Sequence, residues 1–128
     1  MIKNFEVVDA VGLSFEGNYF DLHNDFKIID LKIDGSDFEI AFQRLVDSEE
    51  VGGVRIEFRN FNYLESDVFP LNGDCLFISE VGYKNPDDMD CDWLLSESAS
   101  RVEDHLFFRF DADHFLRICA QSVEAKIV

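Results

Sequence analysis

The stretch Ile29-Asp30-Leu31-Lys32-Ile33-Asp34-Gly35-Ser36-Asp37-Phe38-Glu39-Ile40-Ala41-Phe42 alternates apolar and polar residues on both sides of an Asp-Gly step. Period two is the period of a β-strand, whose successive side chains point to opposite faces. Before the turn the apolar residues stand at odd positions, and after it the large ones stand at even positions. Glycine accepts the positive φ of a tight turn, so Asp34-Gly35 predicts a hairpin between the two runs. Beyond a further turn over Asp47 to Gly53, Val54-Arg55-Ile56-Glu57-Phe58-Arg59 repeats the pattern, with Val54, Ile56 and Phe58 on one face. Three consecutive antiparallel strands are the economical reading, because neighbours in sequence usually pair.

The same period recurs toward the C-terminus. Asn72-Gly73-Asp74 reads as a turn leading into Cys75-Leu76-Phe77-Ile78. Leu106, Phe108 and Phe110 alternate with Phe107 and Arg109, Asp111-Ala112-Asp113 forms a turn, and Phe115 to Ile127 reads as a long return strand. In that strand the apolar phase moves from Leu116 and Ile118 to Val123, Ala125 and Ile127, which predicts a bulge near Ala120 to Ser122. Residues 1–25 keep no sustained period, and a strand or a short helix can hold Phe5 to Val11. From Asn85 to Asp104 two readings stand. One is a short helix with Asn85 as N-cap and Pro86 in its first position. The other is an ordered loop. The fold class is mainly β or α+β, with antiparallel sheets built from hairpins into a β-sandwich or roll carrying one or two short helices.

A length of 128 residues fits one domain, 1–128, with enough chain to bury a core. Hydrophobic residues make up 47% of it and phenylalanine alone contributes 14, so the chain is not a disordered one despite its charge. Lys and Arg number 11 against 27 Asp and Glu, for a net charge of −16. Phosphate contacts need clustered Lys and Arg, so this balance argues against nucleic acid, and against an anionic membrane surface. No stretch approaches the ~20 apolar residues of a membrane span. Cys75, Cys91 and Cys119 are odd in number and widely spaced, and no apolar leader follows Met1. The expectation is a reduced, cytoplasmic protein.

Catalytic and metal motifs are recognisable by their spacing. There is no Gly-x-Ser-x-Gly elbow, no Gly-x-x-x-x-Gly-Lys phosphate loop and no Cys-x-x-Cys. His105 and His114 flank the last hairpin turn, where they can face each other or stand exposed. A thiol–imidazole pair would need Cys75 or Cys119 to meet one of them in space. Asp88-Met89-Asp90-Cys91-Asp92 supplies the first three acids of a calcium loop, but Trp93 stands where glycine belongs and Ala99 where glutamate belongs. The expectation is a protein that is not an enzyme and carries no metal or cofactor.

What remains is surface. Asp87, Asp88, Asp90 and Asp92 crowd four carboxylates beside Trp93, the only tryptophan. An apolar anchor ringed by charge is the anatomy of an interaction patch, although Trp93 can equally fill the core. Glu49 and Glu50 add charge at another turn, and such loops attract a basic partner at long range. In size, acidity and strand pattern the chain resembles the immunity proteins of bacterial polymorphic-toxin and contact-dependent growth inhibition systems. The resemblance lies in Lys27–Gly35, Val54–Phe58, Leu106–Phe110 and Phe115–Ile118. It implies a cytoplasmic protein that binds one cognate toxin domain, often a nuclease, and blocks its active site or substrate access. The alternative is a non-catalytic binding module or assembly subunit. Expected contact residues are Asp87, Asp88, Asp90, Asp92, Trp93, Glu49 and Glu50.

Overall fold

The computed structural model describes residues 1–45, 52–68 and 77–128. The chain runs β1 (Ile2–Lys3), β2 (Glu6–Val7), β3 (Gly12–Phe15), β4 (Asn18–Asp21), β5 (Phe26–Asp34), β6 (Asp37–Arg44), β7 (Gly53–Ser66), β8 (Ile78–Lys84), β9 (His105–Phe110) and β10 (Phe115–Ile127). One sheet has the order β5-β6-β7-β10-β9-β8, with β1 added in parallel beside β10. It curls into a half-barrel, and the small antiparallel sheet β2-β3-β4 packs into it. Val7, Leu13, Phe15 and Phe20 of the small sheet share one core cluster with Phe38, Phe58, Phe108 and Leu116 of the large one. The antiparallel β class holds. Among the described residues helical structure is confined to single 3-10 turns at Glu97–Ala99 and Asp111–Asp113.

The turns are built by the residues the sequence offers. Gly35 takes φ 61° between Asp34 and its partner Asp37, closing β5 onto β6 in two residues. Glu16 and Gly17 both take positive φ between Phe15 and Asn18, the pattern that suits the twist of a hairpin. In β6 and β7 the expected alternation holds, with Phe38, Ile40, Phe42, Val54, Ile56 and Phe58 all buried. The phase shift in β10 also holds. Its register with β7 slips between Cys119 and Ala120, and the buried set passes from Leu116, Ile118 and Ala120 to Val123 and Ala125.

Two expectations are corrected. In β5 only Leu31 of the three odd-position apolar residues is buried, while Ile29 and Ile33 remain 51% and 48% exposed. The physical reason is position: β5 is the last strand of its sheet, and its register slips between Ile28 and Asp30, which leaves Ile29 as the extra residue of a bulge. Likewise His105 and His114 neither face each other nor stand exposed together. His105 is buried at the start of β9, and His114 is exposed with Nδ1 3.3 Å from Asp67 Oδ2. The expected turns at Asp47 to Gly53 and Asn72-Gly73-Asp74 fall wholly or largely outside the described residues.

Candidate functional site

The outer face of β9 and β10, away from the core, carries His105, Phe107, Arg109 and Arg117. Arg117 lies in an apolar strand, Phe115-Leu116-Arg117-Ile118, and is fully enclosed. An enclosed guanidinium needs acceptors for its donors. Its Nε donates to His105 Nδ1 (2.9 Å), Nη1 to the Asp88 carbonyl (2.6 Å) and Nη2 to the Asn85 carbonyl (3.0 Å), with the Tyr63 ring 5.6 Å away. Lys84, at the end of β8, is equally enclosed. Its ammonium donates to Asp90 Oδ1 (2.7 Å), Asp88 Oδ2 (3.0 Å) and the Trp93 carbonyl (2.7 Å), using all three protons. Arg109 donates to the Cys91 carbonyl and lies over Phe107. Three cations rising from the sheet thus hold the segment from Asn85 to Trp93 by its carbonyls and two of its carboxylates.

The segment, here called the strap, is therefore an ordered loop and not the short helix that Asn85 and Pro86 can also open. Its own side chains compete with helix formation. Asn85 Oδ1 accepts from the Asp87 amide, Asp88 Oδ1 from the Asp90 amide and Asp90 Oδ1 from the Asp92 amide, three successive turns in which a side chain captures the backbone two residues on. The strap then returns along β8, where Tyr83 and Leu95 exchange both backbone hydrogen bonds (3.0 and 2.7 Å). This close return requires Gly82. A Cβ there would stand 2.8 Å from Leu94 Cβ and 3.0 Å from the Leu95 carbonyl.

The four aspartates divide into two pairs. Asp88 and Asp90 close over Lys84, so the place a hard cation would take between them is filled by an ammonium. Asp87 and Asp92 are exposed, and neither carboxylate makes a hydrogen bond or ion pair among the described residues. On the same strap Met89 is 67% exposed and Trp93 82% exposed, so Trp93 is a surface residue and not a core one. Glu49 and Glu50 lie outside the described residues. Sequence reasoning found the acids and the tryptophan but missed Lys84 and Arg117, the part that Arg109 and His105 play in holding the strap, and the exposure of Met89. The available signal was Arg117 itself, a charge inside an apolar strand that something has to cover.

Electrostatics fit a fastened loop. Burial alone would lower the Lys84 ammonium, but its hydrogen bonds to Asp90 and Asp88 outweigh that and hold it above the ordinary lysine value. The Lys84 hydrogen bond draws Asp90 down to about 2. Burial, then the Arg117 charge, lowers His105, which stays neutral and offers Nδ1 as acceptor. Burial pushes the Cys119 thiol up, opposite to the shift that activates a nucleophile. Among the described residues no three His, Cys, Asp or Glu side chains converge as a metal site. Nor, among them, is any helix long and apolar enough to cross a membrane.

A pH prediction follows from Asp90. Its folded value lies below the roughly 3.9 of a free aspartate, so its ion pair stabilises the fold fully above about pH 4 and loses that contribution as pH falls toward the folded value. Urea melts of the wild type and Asp90→Asn should differ by a constant amount from about pH 5 to 7, and the gap should close on further acidification. A gap that instead widens below about pH 4 would mean that Asp90 is not held by Lys84.

No family model matches the chain, and no curated protein or solved structure matches it significantly.

Proposed function

We propose that the protein is a binding protein whose contact surface is the strap, and that it neutralises a cognate bacterial toxin domain as an immunity protein. The observation that carries the binding reading is the mounting of Trp93. A large aromatic side chain is held out in solvent on a loop fixed by three cations from the sheet. Exposing an indole has no use to the monomer, while a preorganised aromatic anchor loses little entropy when a partner closes over it. Met89, exposed on the same strap, is an adaptable apolar contact. Asp87 and Asp92 add unpaired charge to the same strap, in a chain of net charge −16, so a basic partner fits and long-range attraction speeds its approach. The toxin assignment rests on the resemblance in size, acidity and strand pattern.

The test is affinity purification from the native host, followed by kinetics against the captured protein. Trp93→Ala should weaken binding by about 2 kcal/mol or more, chiefly through faster dissociation. Asp87→Asn with Asp92→Asn should slow association and flatten its salt dependence, and leaves the Lys84 contacts in place. Capture of a basic toxin domain with both effects supports the proposal. Capture of a housekeeping subunit with the same two effects favours the assembly-module reading. Binding indifferent to Trp93 removes the strap from the interface.

A further inference from the structure

We propose that a second copy of this chain adds to the sheet along the free edge of β5, antiparallel and centred on Leu31. The two edges of the large sheet are treated differently. Along β8 the Tyr83 backbone is taken by Leu95, and the Val81 amide donates to the Ala10 carbonyl (2.7 Å). Along β5 no main-chain or side-chain hydrogen bond from Phe26–Asp34 reaches anything but β6 among the described residues. In a hairpin closed by two residues, Asp34 and Asp37 form a hydrogen-bonded pair, and strict alternation from there turns the amide and carbonyl groups of Leu31 and Ile33 outward. An exposed row of such groups is a template for another strand.

What selects a second copy is the self-complementarity of the side chains. A two-fold axis at Leu31 pairs position 30 with 32, inside the regular stretch that begins after the bulge at Ile29. Ile29, the extra residue of the bulge, stands outside this regular pairing, and half-exposed Ile33 lies at the end of the paired stretch. The axis sets Asp30 against Lys32, each exposed and without an ion pair among the described residues. Charge faces opposite charge, on the one side of the pleat where Asp30 and Lys32 both stand, opposite Ala41 and Glu39 of β6. The local charge also permits it. The segment Phe26–Asp34 holds two lysines and two aspartates, so this edge is neutral in a chain of net charge −16. Two copies repel over most of their surface and least here, so screening by salt should favour the pair.

Sedimentation of the full chain over a concentration series, at low and moderate salt, tests this. A monomer–dimer equilibrium is expected, tighter at moderate salt. Lys32→Glu places Glu opposite Asp30 twice per dimer and should weaken association by about tenfold or more. Adding Asp30→Lys restores opposite charge at both positions and should restore the dimer. Both residues are exposed, and unchanged melting curves confirm that the variants fold. A chain monomeric at every concentration and salt overturns the proposal. So does a dimer untouched by Lys32→Glu, a double variant that does not recover, or a dimer lost on Trp93→Ala instead.

Discussion

Phe108→Ala should destabilise the protein by about 3–5 kcal/mol in urea or thermal melts, the range for emptying a phenylalanine site in a closed core. Phe108 is fully buried in β9, opposite Leu116 of β10 and Val81 of β8, and it belongs to the single cluster that joins both sheets. The neighbouring Phe107 points to the other face, where alternation alone expects solvent, yet it too is fully buried. It stacks on Phe115 with ring centres 5.6 Å apart, Arg109 lies over it, and its cross-strand neighbour Gly82 is covered by Leu94 of the strap. Phe107→Ala should therefore cost a comparable amount, and it should also loosen the strap, which Phe108→Ala should not. Lys32→Ala, on an exposed and unpaired side chain of β5, should stay within about 0.5 kcal/mol. A Phe107→Ala variant as stable as the wild type would mean that the outer face of β9 is open.

That contrast shows how far the fold was legible. Alternation located β6, β7, β9 and β10 and put Ile40, Phe58 and Phe108 inside, because the period of a pleat is a property of the chain itself. It could not tell an edge strand from a central one, so Ile29 and Ile33 read as core when β5 ends the sheet. Burial of the second face is also a tertiary fact. Phe107 and Arg117 are covered by a segment that lies between β8 and β9 in sequence and returns over them only because Lys84, Arg109 and Arg117 are there to receive its carbonyls. The candidate site was legible in part for the same reason. The run Asp87 to Asp92 announces itself by composition, but composition treats its four carboxylates alike. The fold separates Asp88 and Asp90, which serve Lys84, from Asp87 and Asp92, which have no ion pair among the described residues.

Arg117→Met should cost about 3 kcal/mol or more and should release the strap before the rest of the molecule unfolds. Methionine fills much of the same volume, so the loss falls on hydrogen bonding and not on an empty cavity. Without the guanidinium the Asn85 and Asp88 carbonyls and His105 Nδ1 lose their donor together. Each buried acceptor left unmatched costs about 1–3 kcal/mol, and hydrogen bonds to a charged group lie at the strong end of the scale. The carbonyls can recover water only if the strap lifts, so part of the cost appears as opening and not as global destabilisation. Amide exchange at Tyr83 and Leu95, whose mutual bonds tie the strap to β8, should accelerate, while exchange at Ile40 and Phe58 should change only with global stability. Arg117→Lys should not rescue, because one ammonium cannot reach three acceptors spread across a planar fork. If the strap fixes Trp93 for binding, Arg117→Met should also weaken partner affinity without touching the partner, through the added cost of ordering Trp93. Unchanged exchange at Leu95 in the Arg117→Met protein would show that the strap stands without Arg117 and that Lys84 and Arg109 suffice to hold it.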